Sequence, residues 1–312
     1  MQKIAFVFPG QGSQQKGMLA ELYADKPIVA DTFAEASEVL GTDLWQIVSE
    51  NPDGLLDQTA YTQPALLTAS YAIWRAWMQE KGPLPDMLAG HSLGEYSALV
   101  CAGVLTFADA VKLVNLRGSF MQEAVPAGVG GMAAIIGMDD SRIDGICRDV
   151  ADGQSVSAAN YNSPGQTVIA GDKAAVERAM EACKEAGAKR ALPLNVSVPS
   201  HCALMKPAAD RLAEAMQDVS FKAPSLPVVQ NINGRACREP SEIRENLLKQ
   251  LYMPVQWVDT IYCMQDFGIG TIVECGPGKV LAGLIKRINK DIQSYSTDSS
   301  DVLSTTLQTV SQ

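Results

Sequence analysis

Residues 89–98 have the sequence AGHSLGEYSA, and this stretch decides the fold class of the chain. A glycine stands two residues before Ser92, and another stands two residues after it. Small residues at these positions let a chain leave a strand, turn sharply and enter a helix with the serine at the apex of the turn. The apolar residues Met87 to Ala89 predict the strand, and Gly94 to Ala102 predict the helix. This context favours a nucleophilic serine over a serine that only caps a helix.

The two histidines of the chain, His91 and His201, are the candidate bases for Ser92. A serine hydroxyl is a weak nucleophile at its own pKa, so it requires a base. His91 lies within the turn, where neighbouring side chains project differently from Ser92, and we interpret it as a residue that shapes the turn. His201 is therefore the candidate base, with a buried structural histidine as the alternative. No Asp or Glu stands near His201 in the sequence to orient its ring.

Composition and charge bound the class of protein. The 312 residues suffice for one large domain or two, and the 47% hydrophobic and 19% charged residues are typical of a soluble globular enzyme. No apolar run is long enough to span a bilayer, and residues 1–9 resemble a first strand more than a signal peptide. The seven cysteines form no CxxC pair, which predicts reduced thiols of a cytoplasmic protein without a metal site. The formal net charge of −10 argues against nucleic acid as a ligand.

The succession of strand and helix patterns predicts two structural units. Residues 1–127 and 198–312 alternate short apolar strands with amphipathic helices, which is typical of an α/β core with a parallel sheet. Residues 128–197 follow the order β-α-β-β-α-β of a ferredoxin-like α+β unit. We therefore predict a small subdomain, residues 128–197, inserted into a larger α/β domain.

Three of the predicted helices contain or adjoin a proline, a capping residue or a candidate binding residue. The pattern from Gln63 to Gln79 predicts a helix that begins near Pro64. The pattern from Asp172 to Ala186 predicts a helix with Asp172 as its N-cap. The helix predicted from Phe107 to Val125 is apolar around Arg117, and Gly118 leaves room beside it. A partly buried guanidinium requires a carboxylate from the protein or from a substrate, whereas a surface arginine is the alternative.

A second glycine pair flanks Gln11, directly after the first predicted strand. A phosphate-binding loop is excluded because no Gly-Lys-Ser/Thr follows and the full GxGxxG is absent. In enzymes with this kind of serine turn, one N–H of the oxyanion hole follows the nucleophile, and the second comes from an early loop. Leu93 and Gln11 are therefore the candidate donors, with a simple tight turn as the alternative for Gln11.

Seven motifs occur in order along the chain: FPGQGSQ at 8–14, QPA at 63–65, GHSLGE at 90–95, RG at 117–118, NSP at 162–164, SH at 200–201 and GPG at 276–278. Together they resemble the malonyl-CoA:acyl-carrier-protein transacylases of bacterial type II fatty-acid synthesis. The likeness covers nearly the whole chain, apart from the tail after about Asn289 and the residues from Arg235 to Glu239. It implies a hydrolase-like parallel-sheet core with a ferredoxin-like insertion.

The resemblance also implies a role for each candidate residue. Ser92 is acylated, and His201 is the base. Arg117 binds the malonyl carboxylate through a bidentate pair. The oxyanion hole comes from Gln11 and Leu93.

The orientation of the histidine and the partners are implied in the same way. A backbone carbonyl, here that of Gln250, orients the histidine in place of an acid. Ser200 stands where the residue varies with acyl choice in related polyketide acyltransferases. The implied partners are malonyl-CoA and an acyl carrier protein, with no cofactor, no nucleic acid and no membrane.

Two other function classes stay open on the sequence. A serine thioesterase or hydrolase of acyl-CoA uses the same serine and histidine but admits water. A catalytically silent docking module binds acyl carriers without labelling Ser92. The fate of an acyl group on Ser92 distinguishes the three classes.

Two local basic pairs stand in this acidic chain, Lys189-Arg190 and Lys286-Arg287. An acidic carrier protein requires positive surface on its partner, so we predict that these pairs form part of a docking surface. The alternative is that they are two solvated surface pairs without a partner.

Overall fold

The computed structural model describes residues 3–126, 128–196 and 198–311. Within these residues, the strands are β1 Lys3–Phe8, β2 Met87–Gly90, β3 Gly130–Ile136, β4 Val156–Ser163, β5 Gln166–Asp172, β6 Arg190–Pro193, β7 Val228–Gln230, β8 Arg235–Cys237, β9 Ile269–Glu274 and β10 Gln293–Ser296. The α-helices in the same residues are α1 Ala20–Asp25, α2 Pro27–Leu40, α3 Leu44–Glu50, α4 Thr59–Gln79, α5 Gly94–Cys101, α6 Phe107–Ala124, α7 Asp140–Asp149, α8 Lys173–Glu185, α9 Lys206–Ala215, α10 Pro240–Gln250, α11 Trp257–Asp266, α12 Val280–Ile288 and α13 Ser300–Val310. None of these helices combines the length and the apolar character that a membrane crossing requires.

The larger sheet has the strand order β10-β9-β1-β2-β7-β8, and its strands run parallel except for β8. Strand β1 lies inside it and is apolar on both faces, as burial on both faces requires. Phe6 and Phe8 pack into the core on one face, and Ala5 and Val7 pack into the core on the other. The parallel-sheet α/β core that the sequence predicts is confirmed.

The smaller sheet is antiparallel, with the order β4-β5-β3-β6. Along β5, side chains alternate between two environments, as the period of a strand dictates. Ile169 packs with residues of α7 and α8, whereas Val168 and Ala170 face Cys202 of the larger unit. The predicted ferredoxin-like α+β architecture of the insertion is therefore confirmed. Its predicted bounds stay a prediction, since 127 and 197 lie outside the described residues.

Helix α4 begins at Thr59, so the predicted start near Pro64 is wrong. Proline has no N–H and leaves the carbonyl four residues before it without a helical donor. That carbonyl belongs to Ala60, and it accepts a hydrogen bond of 2.8 Å from the side chain of Asn115 on α6. Because α6 supplies this donor, the helix extends past the proline.

Asp172 precedes helix α8 but does not cap it through its side chain, so this predicted cap is wrong. Its carboxylate instead accepts a hydrogen bond of 2.7 Å from the backbone N–H of Ser155, just before β4. The side chain thus fixes the start of β4 beside the end of β5.

Candidate active site

Ser92 stands between the end of β2 and the start of α5 with a φ of 52°. This left-handed backbone costs a residue other than glycine roughly 1–2 kcal/mol. A Cβ at Gly90 would lie 1.8 Å from the carbonyl carbon of Gly94, and a Cβ at Gly94 would lie 2.0 Å from the carbonyl oxygen of Phe8. Gly90 is therefore required by close packing within the turn, and Gly94 by close packing of the turn against β1.

His201 is within hydrogen-bond distance of Ser92. The distance from its Nε2 to the Oγ of Ser92 is 2.7 Å, and its Nδ1 lies 2.6 Å from the backbone carbonyl oxygen of Gln250. A carbonyl oxygen only accepts, so Nδ1 carries the proton and Nε2 offers its lone pair to the serine hydroxyl. The backbone N–H of His201 also donates to the carbonyl of Leu251 at 3.0 Å. The end of α10 thus fixes both the ring and the backbone of the histidine.

The imidazole of His201 is 3% exposed. Burial, followed by the positive charge of Arg117, lowers the pKa of His201 to about 3. The ring is consequently neutral near pH 7, the state in which it can accept a proton from Ser92.

Arg117 on α6 is 1% exposed and turns its guanidinium toward the same point. It donates to the side-chain oxygens of Gln63 at 2.8 Å and Gln250 at 2.9 Å, and Nη2 lies 3.4 Å from the Oγ of Ser92. Burial lowers the pKa of Arg117. In the described part of the chain it forms no direct ion pair, so a buried cation faces the serine with neutral hydrogen-bond partners. Such a group is suited to receive a carboxylate.

The neighbours of Arg117 explain how it is held. A Cβ at Gly118 would lie 2.5 Å from the carbonyl oxygen of Thr59, so the glycine allows α6 to approach the start of α4. The amide nitrogen of Gln63 lies 3.5 Å from the sulfur of Met121, one turn beyond Arg117. This contact turns the amide oxygen of Gln63 toward the guanidinium.

The backbone N–H groups of Gln11 and Leu93 donate to no acceptor within residues 3–126, 128–196 and 198–311. Both residues line the cavity that contains Ser92. Gly10 lies so close to the turn that a Cβ there would be 2.4 Å from the carbonyl oxygen of His91. The loop after β1 and the turn after β2 therefore bring two residues with free N–H groups to the same cavity, an arrangement that suits an oxyanion hole.

A buried polar network beneath Ser92 is absent from the sequence predictions. The side chain of Asn231, just after β7, accepts from the N–H of Ser92 at 2.7 Å and donates to the carbonyl of Gly90 at 2.6 Å. The amide nitrogen of Gln250 donates to the carbonyl of Ser92 at 3.0 Å and to the carboxyl of Glu95 at 2.8 Å. Glu95 ends the GHSLGE motif, and its position there is the one sequence signal for this network.

His91 is half-buried, and its Nε2 lies 2.8 Å from the side-chain oxygen of Asn162 on β4. Its ring also packs near Trp257, with 5.4 Å between the ring centroids. Burial lowers the pKa of His91. The residue thus links the serine turn to the smaller sheet, and its ring has no hydrogen bond to Ser92.

The cavity around Ser92 has a volume of about 220 Å³ and lies between the two sheets. Ser92, His201 and Arg117 line it together with Ser200. The remaining walls are mostly apolar and come from β3, β5, the segment after β6 and helix α12: Met132, Val168, Leu194, Val196, Val198, Val280, Leu281 and Leu284.

The two basic pairs lie at one end of the smaller sheet, and all four side chains are exposed. Arg190 on β6 pairs with Ile136 on β3, which pairs with Gln166 on β5. Arg287, at the end of α12, donates to the side chain of Gln166. Lys189 and Lys286 each precede one of these arginines, so the fold brings two distant sequence pairs to the same edge.

Comparison with known proteins gives one consistent family. Residues 5–304 match the family model of the acyl transferase domain. The malonyl CoA-acyl carrier protein transacylase of Salmonella typhimurium is 60% identical over 288 residues, which cover 92% of this chain and 93% of the relative.

Solved structures agree in fold. The malonyl CoA-acyl carrier protein transacylase of Coxiella burnetii has a TM-score of 0.98 and 51% identity, covering 100% of this chain and 98% of that chain. A malonyl-transacylase solved in complex with a holo type II PKS acyl-carrier protein has a TM-score of 0.97 and 55% identity, covering 98% and 99% of the respective chains.

Proposed function

The chain belongs to the acyl transferase domain family, and we infer that it moves a malonyl group from coenzyme A to the phosphopantetheine thiol of an acyl carrier protein. It is an acyl-carrier-protein S-malonyltransferase, and its product supplies fatty-acid biosynthesis. Malonyl-CoA and the carrier protein are its partners. The roles of its individual residues are proposals, and they rest on the geometry of the cavity.

We propose that Ser92 attacks the thioester carbonyl while His201 removes its proton. The distance of 2.7 Å between Oγ and Nε2 supports this step, as does a ring that is neutral near pH 7. The carbonyl of Gln250 holds the opposite nitrogen and stabilises the imidazolium that forms. His201 then returns the proton to the sulfur of coenzyme A, which leaves as a thiol, and the malonyl group remains as an ester on Ser92.

The negative charge that develops on the carbonyl oxygen requires donors. The unpaired N–H groups of Gln11 and Leu93 support their role as this oxyanion hole. Leu93 also precedes the first turn of α5, where the helix dipole favours negative charge. Removal of one such donor typically lowers kcat by about 100-fold to 1,000-fold.

Arg117 is proposed to bind the free carboxylate of the malonyl group. Its guanidinium is 3.4 Å from the serine oxygen, as expected for a group that holds the far end of a three-carbon acyl chain. A carboxylate in this cavity would be costly to bury without a cation. Arg117 therefore selects a malonyl group over an uncharged acetyl group.

In the second half of the reaction, the phosphopantetheine thiol of the carrier enters the cavity in place of coenzyme A. His201 accepts the thiol proton, the sulfur attacks the ester carbonyl, and the proton passes to the Oγ of Ser92 as that bond breaks. A thioesterase would use water at this point. The mostly apolar walls of the cavity favour the thiol.

The observation that carries these roles is the convergence of Ser92, His201 and Arg117 in one cavity. Incubation with malonyl-CoA followed by intact-protein mass spectrometry tests it. We expect the mass of one malonyl group on the protein, its loss on addition of holo carrier protein, and no label on Ser92→Ala. Ser97→Ala lies on α5, just after the serine turn, and the hydroxyl of Ser97 has no hydrogen bond to any described residue, so it is the matched control and is expected to be labelled. An acyl group lost to water without the carrier would indicate a hydrolase instead.

We propose that the two basic pairs contact the acidic carrier. Their common position at one edge of the smaller sheet supports this role, because α12 runs from the wall of the cavity to Lys286 and Arg287. Strand β6 likewise connects Lys189 and Arg190 to the wall segment beyond it. A cytoplasmic location, supported by seven free cysteines, and a reaction without metal or cofactor stay proposals as well.

A further inference from the structure

Glu95 is a buried carboxyl group that the proposed reaction leaves without a role. It stands in the first turn of α5 and is 1% exposed. One carboxyl oxygen accepts from the side chain of Gln250 at 2.8 Å and from the backbone N–H of Asn231 at 3.1 Å. The other oxygen is buried and has no partner within the described residues.

A single amide group connects this carboxyl to the guanidinium of Arg117. The amide nitrogen of Gln250 donates to Glu95, and its amide oxygen accepts from Arg117 at 2.9 Å. Rotation of the amide by half a turn would set its NH₂ against the guanidinium and its oxygen against the carboxyl. The two charged groups therefore fix the orientation of Gln250 between them.

The net charge of the buried groups beneath Ser92 depends on Arg117 and Glu95. The other side-chain partners of Arg117, Gln63 and Ser92, are neutral. Glu95 is the carboxyl group that acts on Arg117, since Glu274, the other buried acid among the described residues, binds the N-terminus of α12 instead. A buried cation without a nearby anion is unfavourable, so Glu95 serves as its internal counter-charge.

We propose that Glu95 is a positioning residue that neutralises Arg117 in the empty enzyme and takes up a proton when a substrate carboxylate binds to Arg117. This inference rests on the proposed role of Arg117 as the carboxylate-binding residue. The proton comes from solvent, and it returns to solvent when the acyl group leaves. Ionised Glu95 and a bound carboxylate would otherwise place two anions beside one buried cation.

The surroundings of Glu95 support this exchange. Burial raises the pKa of Glu95 to about 7, against the opposing effects of its two hydrogen bonds and Arg117. The titratable groups that face it are Arg117 from α6 and Tyr96 from its own helix. Helix α10 and the segment after β7 contribute the neutral amides of Gln250 and Asn231. A carboxylate that binds beside Arg117 therefore shifts the protonation of Glu95 near neutral pH.

The sign of the pH dependence follows from linkage. At pH 8 Glu95 is ionised before binding, and the substrate carboxylate must drive its protonation. At pH 6 the proton is already present. With a pKa of about 7 in the empty enzyme, preference for a carboxylated ligand falls about tenfold from pH 6 to pH 8.

The test measures the affinity of malonyl-CoA relative to acetyl-CoA by titration calorimetry at pH 6 and pH 8. Ser92→Ala protein is used so that no acyl group is transferred. Both ligands carry the same coenzyme A, so titration of its phosphates cancels in the ratio. Three proteins are compared: Ser92→Ala alone, Ser92→Ala with Glu95→Gln, and Ser92→Ala with Glu274→Gln. Glu274 is the matched buried carboxyl.

We expect the affinity ratio to fall about tenfold between the two pH values with Glu95 present and to be independent of pH with Glu95→Gln. At pH 8, Glu95→Gln is expected to raise the ratio about tenfold. Glu274→Gln should leave the pH dependence unchanged, because it alters a buried carboxyl of similar pKa that does not act on Arg117.

The outcomes separate this inference from the proposed function. A ratio near one at both pH values would overturn the role of Arg117 itself. A ratio well above one that changes neither with pH nor with Glu95→Gln would overturn the inference alone. If Glu95→Gln does not fold, the pH dependence of the protein that retains Glu95 decides, and a constant ratio there contradicts the proposal.

Discussion

At the floor of the cavity, Ser92, His201 and Arg117 are held by buried hydrogen bonds, whereas the two basic pairs at one edge of the smaller sheet project into solvent. Each floor residue has two or more partners from different elements of the fold. At this basic edge, Arg287 donates to the side chain of Gln166, and all four basic residues are exposed. The floor is built from the parallel sheet and its helices, and the basic edge is built from the smaller sheet and the end of α12.

The difference teaches where single substitutions act strongly. Water is largely excluded at the floor, so charges and hydrogen bonds there act at low dielectric and each lost partner leaves a group unsatisfied. Charges at the basic edge are screened by water and salt, and each contributes little alone. We therefore expect large effects on chemistry at the floor and small effects on carrier affinity at the basic edge.

The largest effect is expected from His201→Asn. Loss of the base should lower the rate of Ser92 acylation by about 10,000-fold, because the asparagine cannot accept the serine proton. Stopped-flow release of coenzyme A from malonyl-CoA measures this rate. His91→Asn is the matched control, and we expect it to retain most of the activity because the ring of His91 bonds to Asn162 and not to Ser92. Comparable losses in both variants would contradict the assignment of His201.

The titration of the two histidines tests the burial of the floor directly. Burial and Arg117 lower the pKa of His201 from 6.5 to about 3, which changes its protonation constant by roughly 3,000-fold. Burial lowers the pKa of His91 as well. Imidazole ¹⁵N NMR from pH 5 to pH 8 should therefore show His201 neutral throughout. A His201 resonance that titrates near pH 6.5 would show that water reaches the ring.

Arg117→Ala should separate the two acyl groups. We expect malonyl transfer to fall roughly 1,000-fold, because the substrate carboxylate would be buried without a cation. Acetyl transfer should change far less, since its acyl group has no charge to bind. Rates of transfer from malonyl-CoA and acetyl-CoA to holo carrier protein measure both effects. Equal losses for the two substrates would refute the role of Arg117.

Gly10→Ala tests the close approach of the two loops that present the oxyanion donors. Its Cβ would lie 2.4 Å from the carbonyl oxygen of His91, so the loop must move away from the turn. We expect about a 100-fold lower acylation rate, comparable to the loss of one donor. Gly283→Ala on α12 is the control, because a Cβ there would meet no atom of another described segment within 4 Å. An unimpaired Gly10→Ala enzyme would argue against Gln11 as a donor.

Charge reversal at the basic edge should give the smallest effect. Replacing Lys189, Arg190, Lys286 and Arg287 by glutamate should raise the KM for the carrier about tenfold at low salt and less at high salt. The rate of Ser92 acylation by malonyl-CoA should stay within about twofold, since none of these residues lines the cavity. Steady-state kinetics with varied carrier concentration measures the change.

Lys222→Glu provides the control for that experiment. Lys222 is exposed, and its backbone N–H bonds to the carbonyl of Val104, in the connection between α5 and α6 of the larger unit. The substitution reverses a charge on the larger unit and leaves both basic pairs in place. An equal rise in the KM for the carrier with Lys222→Glu would show that net charge, and not the position of the basic pairs, determines carrier binding.

The amino-acid sequence by itself determined the local parts of the site. The glycine spacing around Ser92 predicts the turn, because only residues without a Cβ fit against β1 and within the turn. The presence of two histidines directed the choice of base to His201. The alternation of short apolar strands with helices predicted the larger sheet, and the order β-α-β-β-α-β predicted the smaller one.

Only the tertiary structure decided how distant residues combine. The start of α4 before Pro64 depends on a donor from Asn115, which local pattern does not reveal. The pairing of Glu95 with Gln250 joins residues 155 positions apart in the chain. Such contacts are set by the packing of helices on a sheet, and the properties they produce, such as the pKa of a buried group, depend on how much water that packing excludes. Local sequence carries the chemistry of each side chain, and the fold determines which of them share a low-dielectric space.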